Sequence, residues 1–439
     1  MKLKEVNFTG TNNSNYIPIT RDVGGLQYQA PQYVVDNVGN VITRYPVAYV
    51  SGTKAKVKAV FETSAISDRY IRGLGPNITG GQILFPSQKC SHESGKMTYK
   101  EIKADIEFTN NTVDYWDDFE IKWQFSTDNV NWVDMGTSKN QMYVTYKEPY
   151  IPSAYGWDID GHGEETKAYH TILHLGCKNA EGQNTGNNVV DIIYNDGFKF
   201  VNNHDKVYRA DGAGPIKYWG APTSNPTIPE YYWKTSGLLQ ALSGTCGGWA
   251  VFYEDVLRIQ GIKTSTISTV TYTEYVLSSS DLTKLDSDIK SFFGNEETNV
   301  KKLPPDVQGY TGTRSDFFVK KWNLNSTVPF VMNEYENSNP SDFTLANGKI
   351  IKVEEQTGAS GQGNIDPRSE FENHAIVKYN NKYYDPSYGS AIANDANSWE
   401  TPALDGFGSI VFYQKEAKKS YVNWVGHLND TSPQAKIKP

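Results

Sequence analysis

Residues 243–252 read Ser243-Gly244-Thr245-Cys246-Gly247-Gly248-Trp249-Ala250-Val251-Phe252. A glycine-rich turn leads here into a predicted helix, because apolar residues recur at 3-4-1 spacing and form one stripe: Trp249, Phe252, Val256 and Leu257. Gly261 follows at the position where a left-handed residue usually ends a helix. Cys246 is therefore expected in the first turn, where unpaired backbone N–H groups and the helix dipole favour a reactive thiolate.

A second stretch supplies a candidate base and a carboxylate to orient it. We predict that residues 375–379 form a strand, that Asn380-Asn381 is a two-residue turn, and that residues 382–384 form the return strand. His374 and Asp385 then lie at the same open end of a hairpin. There the carboxylate can accept a hydrogen bond from one imidazole nitrogen while the other nitrogen faces a thiol, which is the arrangement that a cysteine nucleophile needs.

Together these motifs resemble the transglutaminase-like branch of the papain-type thiol enzymes. The resemblance covers roughly residues 165–415 and rests on Gly-Thr-Cys-Gly-Gly-Trp-Ala at 244–250, His-Ala at 374–375 and Tyr-Tyr-Asp-Pro-Ser-Tyr-Gly at 383–389, in the family's order. It implies an α+β papain/transglutaminase-like core and acyl transfer through a thioester. By that carry-over Cys246 is the nucleophile, His374 the base and later the acid, and Asp385 the residue that orients the imidazole. Cys246 and His374 are 128 residues apart, so we predict an insertion over about residues 262–370.

A second oxyanion donor is needed beside the backbone N–H of the nucleophile. Gln240, six residues before Cys246, stands where papain-like proteases carry their oxyanion-hole glutamine, and we prefer it. The indole N–H of Trp233 is the alternative, and Gly247 leaves room for a substrate carbonyl close to the backbone. For Trp219 we expect ordinary packing.

Two differences separate the chain from papain itself. Ser243 replaces the first cysteine of papain's Cys-Gly-Ser-Cys-Trp motif. In addition, an aspartate in the context Asp-Pro-Ser-Tyr fits the transglutaminase-like branch better than papain's asparagine does. We therefore place the chain in that branch.

Residues 1–148 are predicted to form a separate all-β domain, an immunoglobulin-like sandwich. Apolar and polar residues alternate over residues 57–62, 102–108, 119–125 and 141–146, with turns between them. The domain resembles accessory β-sandwich modules of bacterial proteins, and it is either a spacer or a binder of a surface or protein partner. The prolines of residues 147–152 predict a linker, after which residues 149–439 form the enzyme domain.

Composition narrows the partners. The net charge is −8 and no basic stripe occurs, so a nucleic-acid partner is not expected. No apolar run approaches the ~18 residues that span a bilayer. The first residues lack a secretory signal, which leaves the localisation open between the cytoplasm, non-classical export and prior signal removal. We expect three reduced cysteines and no cofactor. No metal is expected either, although His170 and His174 have helical i, i+4 spacing.

The resulting hypothesis is a cysteine acyl hydrolase or transferase that acts on a protein or peptide, at peptide bonds or glutamine-type amides. Peptidase or hydrolase chemistry is slightly preferred over cross-linking, because excluding water is the harder arrangement to build. The glycine-rich segment at residues 355–370 is expected either to border the substrate groove and help set specificity or to be a disordered surface loop. The alternative is a catalytically idle transglutaminase-like scaffold whose β-domain binds a partner.

Overall fold

The protein is mostly β-structure arranged in several sheets, with four helices in the described residues. The computed structural model describes residues 1–10, 16–150, 167–200, 203–220, 234–263, 265–272, 314–319, 322–323, 342–344, 350–352, 354–355, 360–365, 367, 370–371, 373–395, 398–399, 404–410 and 435–438.

The N-terminal part contains two sheets. Its strands are β1 (Lys2–Phe8), β2 (Tyr33–Val35), β3 (Val41–Arg44), β4 (Val47–Val50), β5 (Lys56–Glu62), β6 (Arg69–Ile78), β7 (Gly81–Cys90), β8 (His92–Glu93), β9 (Lys96–Lys103), β10 (Asp114–Ser126) and β11 (Val133–Thr145). One sheet has the order β3-β2-β1-β5-β9-β8 and the other the order β4-β11-β10-β6-β7. Apolar residues of both sheets share one core, in which Phe61 of β5 meets Trp123 of β10 edge to face with ring centroids 5.6 Å apart.

The alternating patterns at residues 57–62 and 119–125 form strands, as predicted, and the pattern at residues 141–146 does so up to Thr145. The prediction for residues 102–108 is wrong beyond Lys103, where β9 ends. The reason is local: Asp105 Oδ1 accepts hydrogen bonds from the backbone N–H groups of Leu84 and Ile106. Such a side-chain acceptor offers the backbone an alternative to a strand ladder. The immunoglobulin-like topology stays a prediction.

The remainder of the chain carries the helices α1 (His170–Asn179), α2 (Gly186–Gly197), α3 (Thr235–Ala241) and α4 (Cys246–Ile259). Its strands are β12 (Lys217–Tyr218), β13 (Ser243–Gly244), β14 (Thr266–Tyr272), β15 (Arg314–Val319), β16 (Trp322–Asn323), β17 (Asp342–Thr344), β18 (Ile350–Lys352), β19 (Glu354–Glu355), β20 (Glu370–Phe371), β21 (Asn373–Tyr379), β22 (Lys382–Tyr384), β23 (Leu404–Ile410) and β24 (Ala435–Lys438). The sheets run β22-β21-β14-β24 and β20-β15-β23, and the short strands pair as β12-β13, β16-β19 and β17-β18. The predicted insertion is described at residues 262, 263 and 265, in the strands β14 to β20, and at a few positions between residues 360 and 370.

Helix α4 is the central element of this second part. Every residue in it except Arg258 is buried, and it packs against α1, α3 and β21. The four residues of the predicted apolar stripe are all fully buried. A helix that is enclosed on all sides has its first turn held in a fixed place, and that turn carries Cys246.

The two parts of the chain are joined through a second core. It combines α1, α2 and α4 with residues of the N-terminal part, among them Val50 and Tyr143. The Tyr143 hydroxyl lies 2.9 Å from His170 Nε2 and 3.2 Å from His174 Nδ1 on α1. The two parts therefore share apolar and polar contacts, while the boundary at residues 148–149 stays a prediction.

Candidate active site

Cys246 is the first residue of α4, as the sequence predicts. Thr245 precedes it as the N-cap residue, with an extended backbone, and Gly261 ends the helix region at φ +75°. Strand β13 holds the approach to the helix, since it pairs in parallel with β12 and the Trp219 N–H donates to the Gly244 carbonyl at 3.0 Å. Cys246 therefore belongs to the first turn, whose N–H groups have no carbonyl one turn earlier to bond.

His374 and Asp385 lie at the open end of a hairpin, which confirms the predicted turn and strands. Tyr379 pairs with Lys382, and the two turn residues Asn380 and Asn381 have φ of 45° and 61°. Positive φ at both central positions is the signature of a type I′ turn, which matches the twist of the strands it joins. His374 is on β21 and Asp385 directly follows β22, so the hairpin sets their spacing.

The His374 imidazole connects the carboxylate to the thiol. Nε2 lies 2.9 Å from Asp385 Oδ2, and both side chains are almost fully buried. The Cys246 thiol also interacts with the imidazole, since it is among the groups that raise the pKa of His374. Because Asp385 occupies Nε2, Nδ1 is the ring nitrogen left for the thiol. The structure thus brings together the three residues that the sequence proposed as a triad.

The electrostatics of this buried group favour a protonated imidazole. Burial is the largest single influence on the pKa of His374 and lowers it. The negative charge and hydrogen bond of Asp385, followed by the contribution of Cys246, outweigh burial and raise that pKa to about 10. The same charge pair acts on Asp385, whose pKa burial would raise but which its positive partner and its hydrogen-bond donors hold below the ordinary value. Charge on the imidazole is the complement that a thiolate requires.

Asp385 accepts hydrogen bonds at both oxygens. Ser387 Oγ and the Tyr388 N–H donate to Oδ1, at 2.8 and 3.2 Å. Trp399 Nε1 donates to Oδ2 at 3.3 Å, beside His374. Since each of these side chains and backbone groups can donate, the site is built for an ionised carboxylate and not for a neutral acid.

Two aromatic residues complete this environment, and the sequence predictions missed both. The Trp399 ring stacks on His374 with centroids 5.9 Å apart and an interplanar angle of 20°. Tyr194 of α2 holds the main chain of Asp385: its hydroxyl lies 2.9 Å from the Asp385 carbonyl oxygen and accepts the Asp385 N–H at 3.2 Å. Neither contact lies within one helix or hairpin: Tyr194 and Asp385 are 191 positions apart, and Trp399 and Asp385 are 14 apart.

A polar cavity of about 560 Å³ lies beside β12. It is lined by Asn203, His204, Asp205, Pro215, Lys217, Trp219, Gly220, Gly363, Asn364 and Ile365. Trp219 links the cavity to the site, because it bonds Gly244 two residues before Cys246. The last three lining residues belong to the glycine-rich loop that was expected to border a groove, so part of this loop lines the cavity.

The rest of that loop has a structural role. Gly361 and Gln362 are buried, and the Gln362 N–H donates to the Ser387 carbonyl at 2.9 Å. The Gln362 carbonyl in turn accepts the Tyr218 N–H at 2.7 Å. This part of the loop therefore braces β12 against the turn that carries Asp385. The glycine is required at residue 361, because a Cβ there would lie 2.5 Å from the Tyr218 ring.

The other predicted site residues are placed as follows. Gln240 is an exposed residue near the end of α3, and Gly247 is the buried second residue of α4. Trp233 lies outside the described residues. A role for these three residues in binding the oxyanion or the substrate stays a prediction.

The remaining cysteines and the two α1 histidines have structural surroundings. Cys90 and Cys177 are buried free thiols in separate cores, and burial raises the pKa of each to about 12. His170 and His174 contact Tyr143, and burial lowers the pKa of each to about 4. Among the described residues, no three His, Cys, Asp or Glu side chains are grouped as metal ligands would be.

Two broader observations complete the description of the site. Among the described helices, none combines the length and the apolar character that crossing a membrane requires. Comparison of the chain with protein-family models and with curated proteins finds no match.

Proposed function

We propose that this protein is a transglutaminase-like cysteine enzyme that cleaves or transfers amide acyl groups through a thioester on Cys246. One observation carries the proposal: a cysteine at the start of a buried helix interacts with a buried histidine, which is hydrogen-bonded to a buried carboxylate. Burying both charges of such a pair costs desolvation free energy, and strongly shifted pKa values cluster at functional sites, so this pair favours a chemical role.

The geometry suggests a division of labour. His374 accepts the thiol proton at Nδ1, and Asp385 stabilises the imidazolium through Nε2. The Cys246 sulfur then attacks the substrate carbonyl carbon and forms the carbon–sulfur bond, while the carbonyl electron pair moves onto oxygen. Collapse of this intermediate expels the amine, which takes the proton from His374. Water or a second amine, deprotonated by His374, finally releases the acyl group.

The cavity beside β12 supports a peptide-like substrate. Its lining combines an amide, an imidazole and both signs of charge, in Asn203, His204, Asp205 and Lys217, with one broad aromatic face, Trp219. Such a lining provides hydrogen-bonding groups for a polar chain. A polar lining also holds water, which agrees with the preference for hydrolysis over transfer to an amine. An immunoglobulin-like β-domain that binds a partner is the corresponding proposal for residues 1–148.

The test is the rate at which iodoacetamide alkylates Cys246 as a function of pH, followed by mass spectrometry of each cysteine peptide. Cys90 and Cys177 are internal controls, and His374→Ala removes the base. We expect rapid labelling of Cys246 below pH 7 that collapses in the variant. Slow labelling with an inflection at the ordinary cysteine value of ~8.5, unchanged in the variant, would favour the idle scaffold.

Substrates are then sought by incubating the protein with peptide mixtures and with glutamine donors, with and without a primary amine. Loss of ammonia, cleavage of the chain and incorporation of the amine have different masses, so one spectrum separates deamidation, peptidase activity and cross-linking. Cys246→Ser is the matched control, because it keeps the shape of the site. Product formed equally by this variant would exclude the thioester route.

A further inference from the structure

The hydroxyl group of Tyr218, near the triad, is buried without a well-oriented hydrogen-bond partner among the described residues. Tyr218 is fully buried on β12, and its hydroxyl forms no well-oriented hydrogen bond within the described part of the protein. The Trp219 indole and the Tyr388 hydroxyl are nearby, yet neither engages it with good geometry. A buried hydroxyl that lacks a partner is costly, and such groups in folded proteins call for an explanation.

The position of Tyr218 suggests the explanation. Its ring meets Tyr388 edge to face at 5.0 Å, and the Tyr388 ring lies 5.6 Å from the His374 ring. Cys246 is close enough to interact electrostatically with both tyrosines. The parallel pairing of Tyr218 with Gly244 fixes the residue beside the strand that leads into Cys246.

The protein also holds this ring firmly in place. The Tyr218 N–H is bonded to Gln362, and its carbonyl accepts from Asn364 Nδ2 at 2.9 Å. Gly361 allows the ring its place, since any side chain there would collide with it. Both backbone groups of Tyr218 are bonded, and its hydroxyl has no well-oriented partner in the part of the chain that the structure describes, so the residue is preorganised to donate to a substrate oxygen.

We propose that the Tyr218 hydroxyl is a catalytic oxyanion donor, which acts together with the backbone N–H of Cys246. This inference rests on the proposed acyl-transfer function. When the Cys246 sulfur bonds to the carbonyl carbon, the π electron pair moves to oxygen, and this oxygen accepts from Tyr218 O–H and Cys246 N–H. The pair returns when the leaving amine departs with the His374 proton, so the tyrosine neither gains nor loses a proton.

The hydroxyl is suited to this task over the whole working range of pH. Burial, with the neighbouring Tyr388, Cys246 and Asp385 as smaller causes, holds the pKa of Tyr218 well above its ordinary value. The phenol therefore keeps its proton and remains a neutral donor. Gln240, the donor suggested by the sequence, is exposed, whereas Tyr218 is enclosed beside the reacting groups, where a hydrogen bond to a developing charge is strongest.

The experiment compares two reagents on the full-length protein and its Tyr218→Phe variant. Acylation of Cys246 by p-nitrophenyl acetate passes through a tetrahedral oxyanion, whereas alkylation by iodoacetamide displaces iodide at a saturated carbon and forms none. We expect acylation to slow by ~10²- to ~10³-fold, as removal of one oxyanion donor does elsewhere. Alkylation should change less than threefold, and the midpoint of thermal unfolding should stay the same or rise.

Tyr253→Phe is the matched control. Its buried hydroxyl donates to the Val190 carbonyl at 3.1 Å, so the variant should unfold at a lower temperature but keep the wild-type ratio of acylation to alkylation. Equal slowing of both reactions in Tyr218→Phe would overturn the oxyanion role, because the hydroxyl would then act on the thiolate. Unchanged acylation, or wild-type acylation no faster than that of a free thiol, would also overturn it. Failure of the broader function looks different, since alkylation of the wild type would itself be slow and independent of His374.

Discussion

Replacing Asp385 by Asn tests how far the buried carboxylate controls the site. All four hydrogen bonds to its side chain come from donors: Ser387 and Tyr388 at Oδ1, and His374 and Trp399 at Oδ2. An asparagine must turn its NH₂ group toward one of these pairs. If the NH₂ group takes the place of Oδ1, two donors face each other, because the Tyr388 N–H loses its acceptor. If the NH₂ group takes the place of Oδ2, it faces the Trp399 N–H, which loses its acceptor. His374 must then accept from this NH₂ at Nε2 and carry its own proton on Nδ1, so that Nδ1 cannot accept the thiol proton.

Two magnitudes follow. One misplaced donor in a buried site costs ~1–3 kcal/mol of folding free energy. The second concerns His374, whose pKa is raised from 6.5 to about 10 mainly by the charge that the variant removes, which corresponds to roughly 5 kcal/mol. With the charge gone, burial opposes protonation more effectively and this pKa falls. The thiolate–imidazolium pair then loses its support, and we expect alkylation of Cys246 at pH 6 to slow by ~10²- to ~10³-fold.

The assay is iodoacetamide alkylation from pH 5 to pH 10, with denaturant unfolding measured on the same samples. Asp191→Asn is the control. Asp191 lies on α2 and accepts hydrogen bonds from two residues of the same hairpin, Lys382 at 2.6 Å and Tyr384 at 2.7 Å, but its side chain is partly exposed. It should cost less than ~1 kcal/mol and leave alkylation unchanged. An Asp385→Asn protein that is alkylated within threefold of the wild-type rate at pH 6 would refute the reasoning.

Three further predictions concern the surroundings of the triad. Trp399→Phe keeps a ring over His374 but loses the indole hydrogen bond to Asp385; we expect ~1–3 kcal/mol less stability in denaturant, and wild-type stability would contradict a role for this bond. Gly389→Ala should cost at least ~2 kcal/mol by thermal unfolding, because residue 389 has φ +54° and its Cβ would lie 2.7 Å from the Phe198 carbonyl oxygen; full wild-type stability would contradict the strained turn. His174 has a pKa lowered from 6.5 to about 4 by burial, so its contribution to stability is present above pH ~6.5 and is lost as the pH falls toward 4. Between pH 6.5 and 4 the unfolding free energy of His174→Gln should therefore fall by up to ~3 kcal/mol less than that of the wild type. Curves of unfolding free energy against pH that run parallel for the two proteins would exclude the effect.

The short-range features of the site were predictable from the sequence. The start of α4 at Cys246, the glycine beyond its end, the hairpin and its Asn380-Asn381 turn all follow from periodicity and turn chemistry within about fifteen residues. These signals are local because helix and hairpin hydrogen bonds join residues that are close in the chain. The extent of β9 was mispredicted where one side chain, Asp105, competes for backbone donors.

The sequence by itself determined the order of the three chemical groups, their placement at the ends of a helix and a hairpin, and the β-rich character of the first part. Only the tertiary structure decided what surrounds them. Trp399 stacks on His374, Tyr194 holds Asp385 from 191 positions away, and Tyr218 reaches the site through a strand pairing with Gly244. These contacts are set by which apolar faces bury one another and by the register of paired strands. That choice is made among distant segments, and no local pattern records it.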